Sequence, residues 1–214
     1  EVERVWRGRE EDAEVVEDLS GGLVLRVRRP DGIRPGSLDI HGADRKFGGD
    51  PGSIGRLGLE GGAPTVLSSD LTRPQGIALG ATEAFFTSSD TVFKVPKGGG
   101  STSIVAAGQP FAQHVAANAD RVCWLASGAV PTIACAPMSG GAPTVLAVEA
   151  TLSVRALALD STHAFWVLGD GTLRSVALSG GAPNTLAPAS DACSQGDLAL
   201  DATHAFWSCG PNVR

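Results

Sequence analysis

A ten-residue phrase recurs in this sequence at a nearly fixed interval. Residues 157–166 read LALDSTHAFW, and residues 198–207 read LALDATHAFW, 41 positions later. A looser copy, IALGATEAFF, occupies residues 77–86. Self-similarity at a fixed period is the signature of a repeat architecture, in which each unit buries its apolar face against its neighbours. The repeat therefore constrains the fold more than any other feature of the chain.

Two independent anchors set the period near 40 residues. Gly-Gly pairs begin at positions 61, 98, 140 and 180, with spacings of 37, 42 and 40. A large aromatic residue recurs with spacings of 38, 42 and 41, at Phe86, Trp124, Trp166 and Trp207. Because the anchors drift together, we interpret residues 53–209 as clear repeats. Similar spacing through Trp6 and Phe47 indicates that residues 1–52 are eroded repeats, so residues 1–214 are expected to form one domain.

Each unit resolves into four short segments separated by turn residues, as residues 153–187 illustrate. Asp and Ser bond readily to nearby backbone, so the Asp-Ser-Thr and Gly-Asp-Gly runs in this unit predict turns. Thr172–Leu178 alternates in polarity with a period of two, which indicates a half-exposed strand. The four predicted strands are Val154–Leu159, His163–Leu168, Thr172–Leu178 and Pro183–Leu186.

Four antiparallel strands every 40 or so residues predict an all-β fold, a β-propeller of four-stranded antiparallel blades. A helical repeat is disfavoured because Gly or Pro interrupts every window of about ten residues. The chain starts near a predicted second strand, Val2–Arg7, and holds about five blades' worth of strands. Either a terminal strand closes a five-bladed ring, or the chain is part of a six-bladed or larger ring, and we favour part of a six-bladed one. In either ring the small residues Ala78, Ala116, Ala158 and Ala199 would line the channel.

Aromatic pairs at the second strand of each unit carry a family resemblance. They are Phe85-Phe86, Cys123-Trp124, Phe165-Trp166 and Phe206-Trp207. With the upstream Leu-Ala-Leu-Asp, the chain resembles the YWTD and NHL-like propellers, especially the divergent repeats of bacterial envelope proteins. The resemblance covers roughly residues 36–209, and the chain departs from the signature in lacking tyrosine and the terminal aspartate. It implies the architecture alone, with the second-strand rings wedged between adjacent blades.

Charge and hydropathy exclude several classes of partner. The formal net charge is −6, so we expect no binding to nucleic acid or to an anionic membrane surface. No run of about 18 apolar residues is present, so we expect no membrane span. No signal peptide is visible and the chain begins at Glu1, so it is expected to be a mature form or a fragment.

The four cysteines fall into two local pairs. Cys123 and Cys135 lie on adjacent predicted strands, equidistant from their turn, and Cys193 and Cys209 flank the last hairpin. Both pairs are within the reach that a disulfide needs, and two disulfides would indicate an oxidising compartment. Four buried free thiols are the alternative. A zinc site is disfavoured because no CxxC motif or His/Cys cluster is present, and we expect no metal.

Polar residues that break the repeat are the best site candidates. His163 and His204 share a repeat position and are therefore expected to be structural, and His41 reads as a turn residue. The start of the channel-lining strand instead varies from unit to unit. Convergent polar groups at such a channel mouth are the usual signature of a ligand site, and the alternative is hydrated residues at a pore entrance. The predicted ligand-binding residues are Gln75, Gln113, His114, Arg155 and Asp197.

The sequence thus predicts a non-catalytic extracytoplasmic propeller that binds a protein, glycan or small ligand on its ring face, with no cofactor. The alternative is a lactonase- or lyase-like propeller enzyme with His114 as base at the channel mouth. No Ser-His-Asp motif context or phosphate-binding loop supports catalysis. A purely structural role in an envelope assembly is a third possibility, because fold does not fix function.

Overall fold

The computed structural model describes residues 16–17, 23–28, 52–58, 63–149, 153–189 and 196–209. Eighteen strands, and no helix, lie in this part of the chain. None of the described segments is therefore a helix long and apolar enough to span a membrane. The chain divides into two compact units, residues 1–74 and 75–214.

The first unit contains one four-stranded antiparallel sheet in sequential order. Its strands are β1 (Val16–Glu17), β2 (Leu23–Arg28), β3 (Gly52–Gly58) and β4 (Thr65–Leu71). Ile54 of β3 is fully buried, and Leu67 and Leu71 of β4 are nearly so. The segment around Phe47, whose spacing placed it among the eroded repeats, lies outside the described residues, as does Val2–Arg7. The assignment of residues 1–52 to eroded repeats stays a prediction.

The second unit contains three four-stranded sheets and a two-stranded sheet, each antiparallel and in sequential order. The first sheet consists of β5 (Pro74–Leu79), β6 (Glu83–Ser88), β7 (Thr91–Pro96) and β8 (Ser103–Ala106). The second consists of β9 (Ala112–Ala117), β10 (Arg121–Ser127), β11 (Pro131–Pro137) and β12 (Thr144–Val148). The third consists of β13 (Val154–Leu159), β14 (His163–Leu168), β15 (Leu173–Ala177) and β16 (Asn184–Ala187). The last pairs β17 (Leu198–Leu200) with β18 (Ala205–Trp207).

The Gly-Gly pairs at 140 and 180 form turns between the third and fourth strands, and the pair at 61 lies outside the described residues. Gly140 and Gly141 have φ angles of 92° and 138°, and Gly180 and Gly181 have 96° and 125°. Residues with a Cβ rarely adopt these conformations, so the turn requires glycine. Each turn is closed by the same hydrogen bond, for example from Gly140 N–H to Pro137 C=O at 2.9 Å.

Large rings fill the space between consecutive sheets of the second unit. Trp124 packs in one core with Phe85 and Val92 of the preceding sheet. Trp166 packs in a second core with Leu125 and Ile133. All of these side chains are buried, which agrees with the predicted wedge.

The wedge prediction is wrong for the last aromatic of the series. Trp207 is 41% exposed and its neighbour Phe206 is 57% exposed. Both lie on β18, which pairs only with β17 among the described residues. Strands β10 and β14, which carry Trp124 and Trp166, each pair with a third strand as well, and β18 has no such described partner. The predicted half-exposed pattern of the third strand is also wrong, because neighbouring Ser175 and Val176 of β15 are both buried.

Candidate ligand-binding face

The predicted site residues lie on successive first strands of the second unit. Gln75 is in β5, Gln113 and His114 are in β9, Arg155 is in β13, and Asp197 directly precedes β17. Strand β9 contacts β13, and β13 contacts β17. These strands are therefore neighbours, as a shared channel requires. Asp197 is exposed and the other four residues are partly buried.

The structure brings the strand of Gln75 close to His114. A Cβ added to Gly76 would lie 2.8 Å from the backbone nitrogen of Val115 and 3.2 Å from that of His114. Only glycine permits such a close backbone approach. The Gly76 N–H also donates to the Thr87 hydroxyl at 2.8 Å, which fixes this part of β5.

A β-bulge positions His114. Gln113 pairs with Leu125 and Ala116 pairs with Cys123, so His114 and Val115 together oppose the single residue Trp124. His114 has a φ of 42°, in the left-handed region that non-glycine residues seldom occupy. A bulge interrupts pairing and redirects side chains, and bulges are frequent beside functional sites.

A second bulge occurs at Arg155. Val154 pairs with Leu168 and Ala156 pairs with Val167, which leaves Arg155 as the additional residue. The Arg155 Nε atom lies 3.5 Å from the point that a Cβ on Gly169 would occupy. The arginine side chain therefore lies beside the turn between β14 and β15.

The linkers and the turns between second and third strands interleave at one end of the sheets. The linker before β9 bonds to the preceding turn, with Phe111 N–H donating to Asp90 Oδ1 at 2.9 Å. Two backbone bonds, each 2.8 Å long, join the linker before β13 to the turns on either side of it. Glu149 N–H donates to Pro131 C=O at the preceding turn, and Gly169 N–H of the following turn donates to Ser153 C=O. We call this end the linker face; it comprises residues 107–111, 128–130 and 169–171. His114 lies near it, at the start of β9.

Phe111 is a second strained residue on the linker face, three positions before His114. Its φ is 49°, and its side chain is 52% exposed. A bulky residue in this conformation is a genuine outlier and costs on the order of 1–3 kcal/mol. The surrounding hydrogen bonds, including Ser127 N–H to Phe111 C=O at 3.4 Å, hold it there.

Two aspartates near this face are engaged locally. Asp197 Oδ1 accepts the N–H of Leu198 at 2.9 Å, so the carboxylate caps its own strand. Asp170 Oδ1 accepts the N–H of Thr172 at 2.9 Å. Burial acts to raise the pKa of Asp170, but the hydrogen bonds from Thr172 outweigh burial and hold the pKa below its ordinary value. Within the described ranges, no group of three His, Cys, Asp or Glu side chains could hold a metal ion.

The two repeated histidines lie in turns between first and second strands. Asp160 Oδ1 accepts the N–H groups of Thr162 and His163, both at 2.6 Å, and the Thr162 hydroxyl bonds to His163 Nδ1 at 2.8 Å. Asp201 makes the same contacts with Thr203 and His204. These contacts form a local turn motif in which each histidine is a structural neighbour of its aspartate.

The structure shows a hydrogen bond that the sequence did not predict: the buried indoles of Trp124 and Trp166 each have a side-chain acceptor. Trp124 Nε1 donates to Gln109 Oε1, and Trp166 Nε1 donates to Glu149 Oε1, each at 2.9 Å. Both acceptors lie in the linker that precedes the sheet of the tryptophan. A buried indole N–H requires a partner, and a polar residue at a similar distance before each Trp was the available signal.

Glu149 also neutralises a charge in this contact. Its side chain is only 7% exposed, and its two carboxylate oxygens lie 2.7 and 2.9 Å from Arg174 Nη1. The guanidinium carbon of Arg174 is 5.9 Å from the centre of the Trp166 ring. Arg174 Nε is buried without a hydrogen-bond partner in the described part of the chain. The three side chains therefore couple the second and third sheets of the unit.

A disulfide joins Cys123 to Cys135 across β10 and β11. The two residues are direct partners in the register of the strands, their Cα atoms are 4.0 Å apart, and both are fully buried. Cys209 is also disulfide-bonded. Its predicted partner, Cys193, lies outside the described residues.

Comparison with solved structures identifies the architecture. A chain of the nidogen/laminin complex is 19% identical, with a TM-score of 0.65, over 87% of this chain and 67% of that one. TolB from Acinetobacter baumannii is 12% identical, with a TM-score of 0.64, over 94% of this chain and 50% of TolB. The fold is a β-propeller. The computationally designed Ika4 protein matches at 14% identity and a TM-score of 0.53, over 64% of this chain and 86% of Ika4.

These likenesses establish the propeller fold alone, because the identities are low. The chain spans half the length of TolB. No protein-family profile and no curated protein matches the sequence. The finer assignment to YWTD or NHL-like propellers therefore stays a prediction.

Proposed function

We propose that this propeller is a non-catalytic extracytoplasmic module that binds a protein, glycan or small ligand near the starts of its first strands. The observation that carries the proposal is the backbone strain at Phe111 and His114. Strained residues persist only where the surrounding structure enforces them, and they cluster at functional sites. Two of the five described non-glycine residues with positive φ, Phe111 and His114, lie within two residues of Gln113, where the repeat symmetry breaks.

Two further observations support the proposal. Bulges at His114 and Arg155 interrupt the pairing of two neighbouring first strands, and bulges are frequent beside functional sites. The similar propeller of the nidogen/laminin complex was solved with a partner protein. The Cys123–Cys135 disulfide supports an oxidising, extracytoplasmic compartment.

The test exposes the purified chain to a glycan array and to a phage-displayed random dodecapeptide library. The double substitution His114→Ala and Arg155→Ala should abolish capture of the selected ligands and leave the melting temperature nearly unchanged. His204→Ala is the matched control, since that histidine is exposed and lies in a turn between first and second strands. Capture that survives the double substitution would exclude these residues as the site.

A further inference from the structure

An exposed apolar patch lies on the linker face, and nothing above assigns it a role. It consists of Pro110, Phe111, Val130 and Val148, and we call it the linker patch. Three of its side chains are about half exposed: Phe111 at 52%, Val130 at 47% and Val148 at 55%. Grouped apolar exposure of this kind marks interaction surfaces more often than scattered single residues do.

Local contacts place the segments that carry these residues side by side. A Cβ added to Gly128 would lie 3.2 Å from Pro110 Cβ, so the turn that carries Val130 packs against the linker. On the other side of this turn, Val148 pairs with Thr132, and Glu149 N–H donates to Pro131 C=O. The turn is thus flanked by the linker that carries Phe111 on one side and by β12, which carries Val148, on the other.

The linker patch is also held rigidly. Gln109 is fixed by its N–H bond to Asp90 C=O at 2.8 Å and by its side-chain bond to the Trp124 indole. Asp90 Oδ1 accepts the N–H of Phe111, two residues after Gln109, and so holds Phe111 in its left-handed conformation. An aromatic side chain on a fixed backbone loses little conformational entropy when a partner covers it, which favours its use as an anchor.

The charge around the linker patch selects the partner. The segments that form it, residues 107–115, 125–133 and 144–149, contain no Lys or Arg. The carboxylate of Glu149 is buried and paired with Arg174, whereas Asp90 is exposed beside Phe111. The charge shown in contact with Phe111 is therefore negative, in a chain of net charge −6. A cationic segment would meet the Asp90 carboxylate favourably.

We infer that the linker patch docks an extended segment of a partner protein that carries an apolar or aromatic side chain next to Lys or Arg. This inference rests on the proposed binding function and narrows it to one class of partner. The apolar side chain would cover Phe111 and Val130, and the cation would lie near Asp90. Aromatic anchors with a charged border are typical of such contacts.

The random dodecapeptide library supplies the probe. Peptides selected on the wild-type chain should be enriched in an aromatic or large aliphatic residue adjacent to Lys or Arg. For one synthesised peptide, Phe111→Asn should weaken binding by about tenfold or more, measured by fluorescence polarisation. Asparagine tolerates the left-handed conformation, so the fold should persist. Leu186→Asn is the matched control because Leu186 is also 52% exposed but lies on β16.

The charge of Asp90 is tested separately. Asp90→Asn keeps the Oδ1 acceptor for Phe111 N–H but removes the negative charge. Binding of the cationic peptide should weaken by about two- to fivefold, as for an exposed ion pair, and should depend less on salt.

The outcomes separate this inference from the proposed function. Peptides that lose binding in Phe111→Asn but not in Leu186→Asn support the inference. It is overturned if no peptide is selected, if the selected peptides lack the cation, or if the chain self-associates through the patch. It is also overturned if binding is lost in the His114 and Arg155 variant while Phe111→Asn binds normally, in which case the proposed function still stands. If neither the His114 and Arg155 variant nor Phe111→Asn loses binding, both the inference and the proposed function are overturned.

Discussion

Trp166 donates its indole N–H to Glu149, a carboxylate that lies 17 residues earlier and in the linker from the preceding sheet. Trp124 makes the equivalent bond to Gln109. The two contacts share geometry but differ in charge, since only Glu149 is paired with an arginine. The repeats therefore allow a neutral contact, Trp124 with Gln109, to be compared with an ionic contact, Trp166 with Glu149 and Arg174.

Removing the acceptor should lower the free energy of unfolding more at the ionic contact than at the neutral one. Glu149→Ala leaves Arg174 and the Trp166 indole without their acceptor in a largely buried site. We expect a loss of about 2–4 kcal/mol in the free energy of unfolding, moderated by the partial exposure of Arg174. Gln109→Ala should cost about 1–3 kcal/mol, because only a neutral donor is left unsatisfied. Urea denaturation checks both values, and a larger loss for Gln109→Ala would contradict the assignment.

Gly76 and Gly98 should respond oppositely to the same substitution. In Gly76→Ala the new Cβ would lie 2.8 Å from the Val115 backbone nitrogen, and backbone cannot move aside cheaply. We expect a destabilisation of about 1–3 kcal/mol from overpacking. Nothing lies within 4 Å of a Cβ at Gly98, so Gly98→Ala should be nearly neutral. Equal denaturation midpoints for the two variants would show that β5 and β9 do not approach this closely.

Asp160 should make the stability depend on pH in acid. Burial acts to raise its pKa, but hydrogen bonds from the backbone of Thr162 and His163 and from the Thr162 hydroxyl outweigh it, so the folded-state pKa lies below 3.8. The stabilisation is therefore present above the unfolded-state value and is lost as the pH falls through the folded-state pKa.

Asp160→Asn provides the measurement. Asparagine retains the Oδ1 acceptor, as Asn118 does at the equivalent turn, where it accepts the N–H of Arg121 at 2.8 Å. We expect wild type to exceed this variant in stability near neutral pH, and the difference to shrink below pH 3.8. A difference that stays constant through acid pH would rule out the ionised carboxylate as the stabilising group.

The Cys123–Cys135 disulfide should contribute strongly to stability. It closes a loop with a sequence separation of 12 residues. Loop-closure entropy predicts a contribution of about 3 kcal/mol. Replacing both cysteines with valine preserves an apolar side chain at two buried positions, so the loss should reflect mainly the missing cross-link. Thermal unfolding with and without reductant checks this value, since the reductant should affect the wild type more than the variant.

The sheets could be predicted from local patterns in the sequence. The Gly-Gly pairs specify turns because those positions need positive φ angles, as at Gly140 and Gly141. The period-two segments between the turns specify strands, and the recurring tryptophans mark the buried wedge. Cys123 and Cys135 could be paired because a hairpin fixes its own register. Each of these features depends on residues close together in the chain.

The details of the candidate site required the tertiary structure. His114 was selected because it breaks the repeat, but its bulge depends on pairing with β10, and Gly76 matters only because β9 approaches it. The strain at Phe111 depends on Asp90, 21 residues away. These contacts join different sheets and linkers, and no periodicity records them.

The sequence by itself determined the four-stranded repeat, its turns and its interleaved aromatics, because turn chemistry and alternation act over a few residues. The tertiary structure decided which aromatics are buried, where the bulges fall and which acceptors the indoles find. Trp166 and Trp207 occupy the same place in nearly identical phrases, yet one is fully buried and the other is 41% exposed. The difference arises because burial depends on what packs against a side chain.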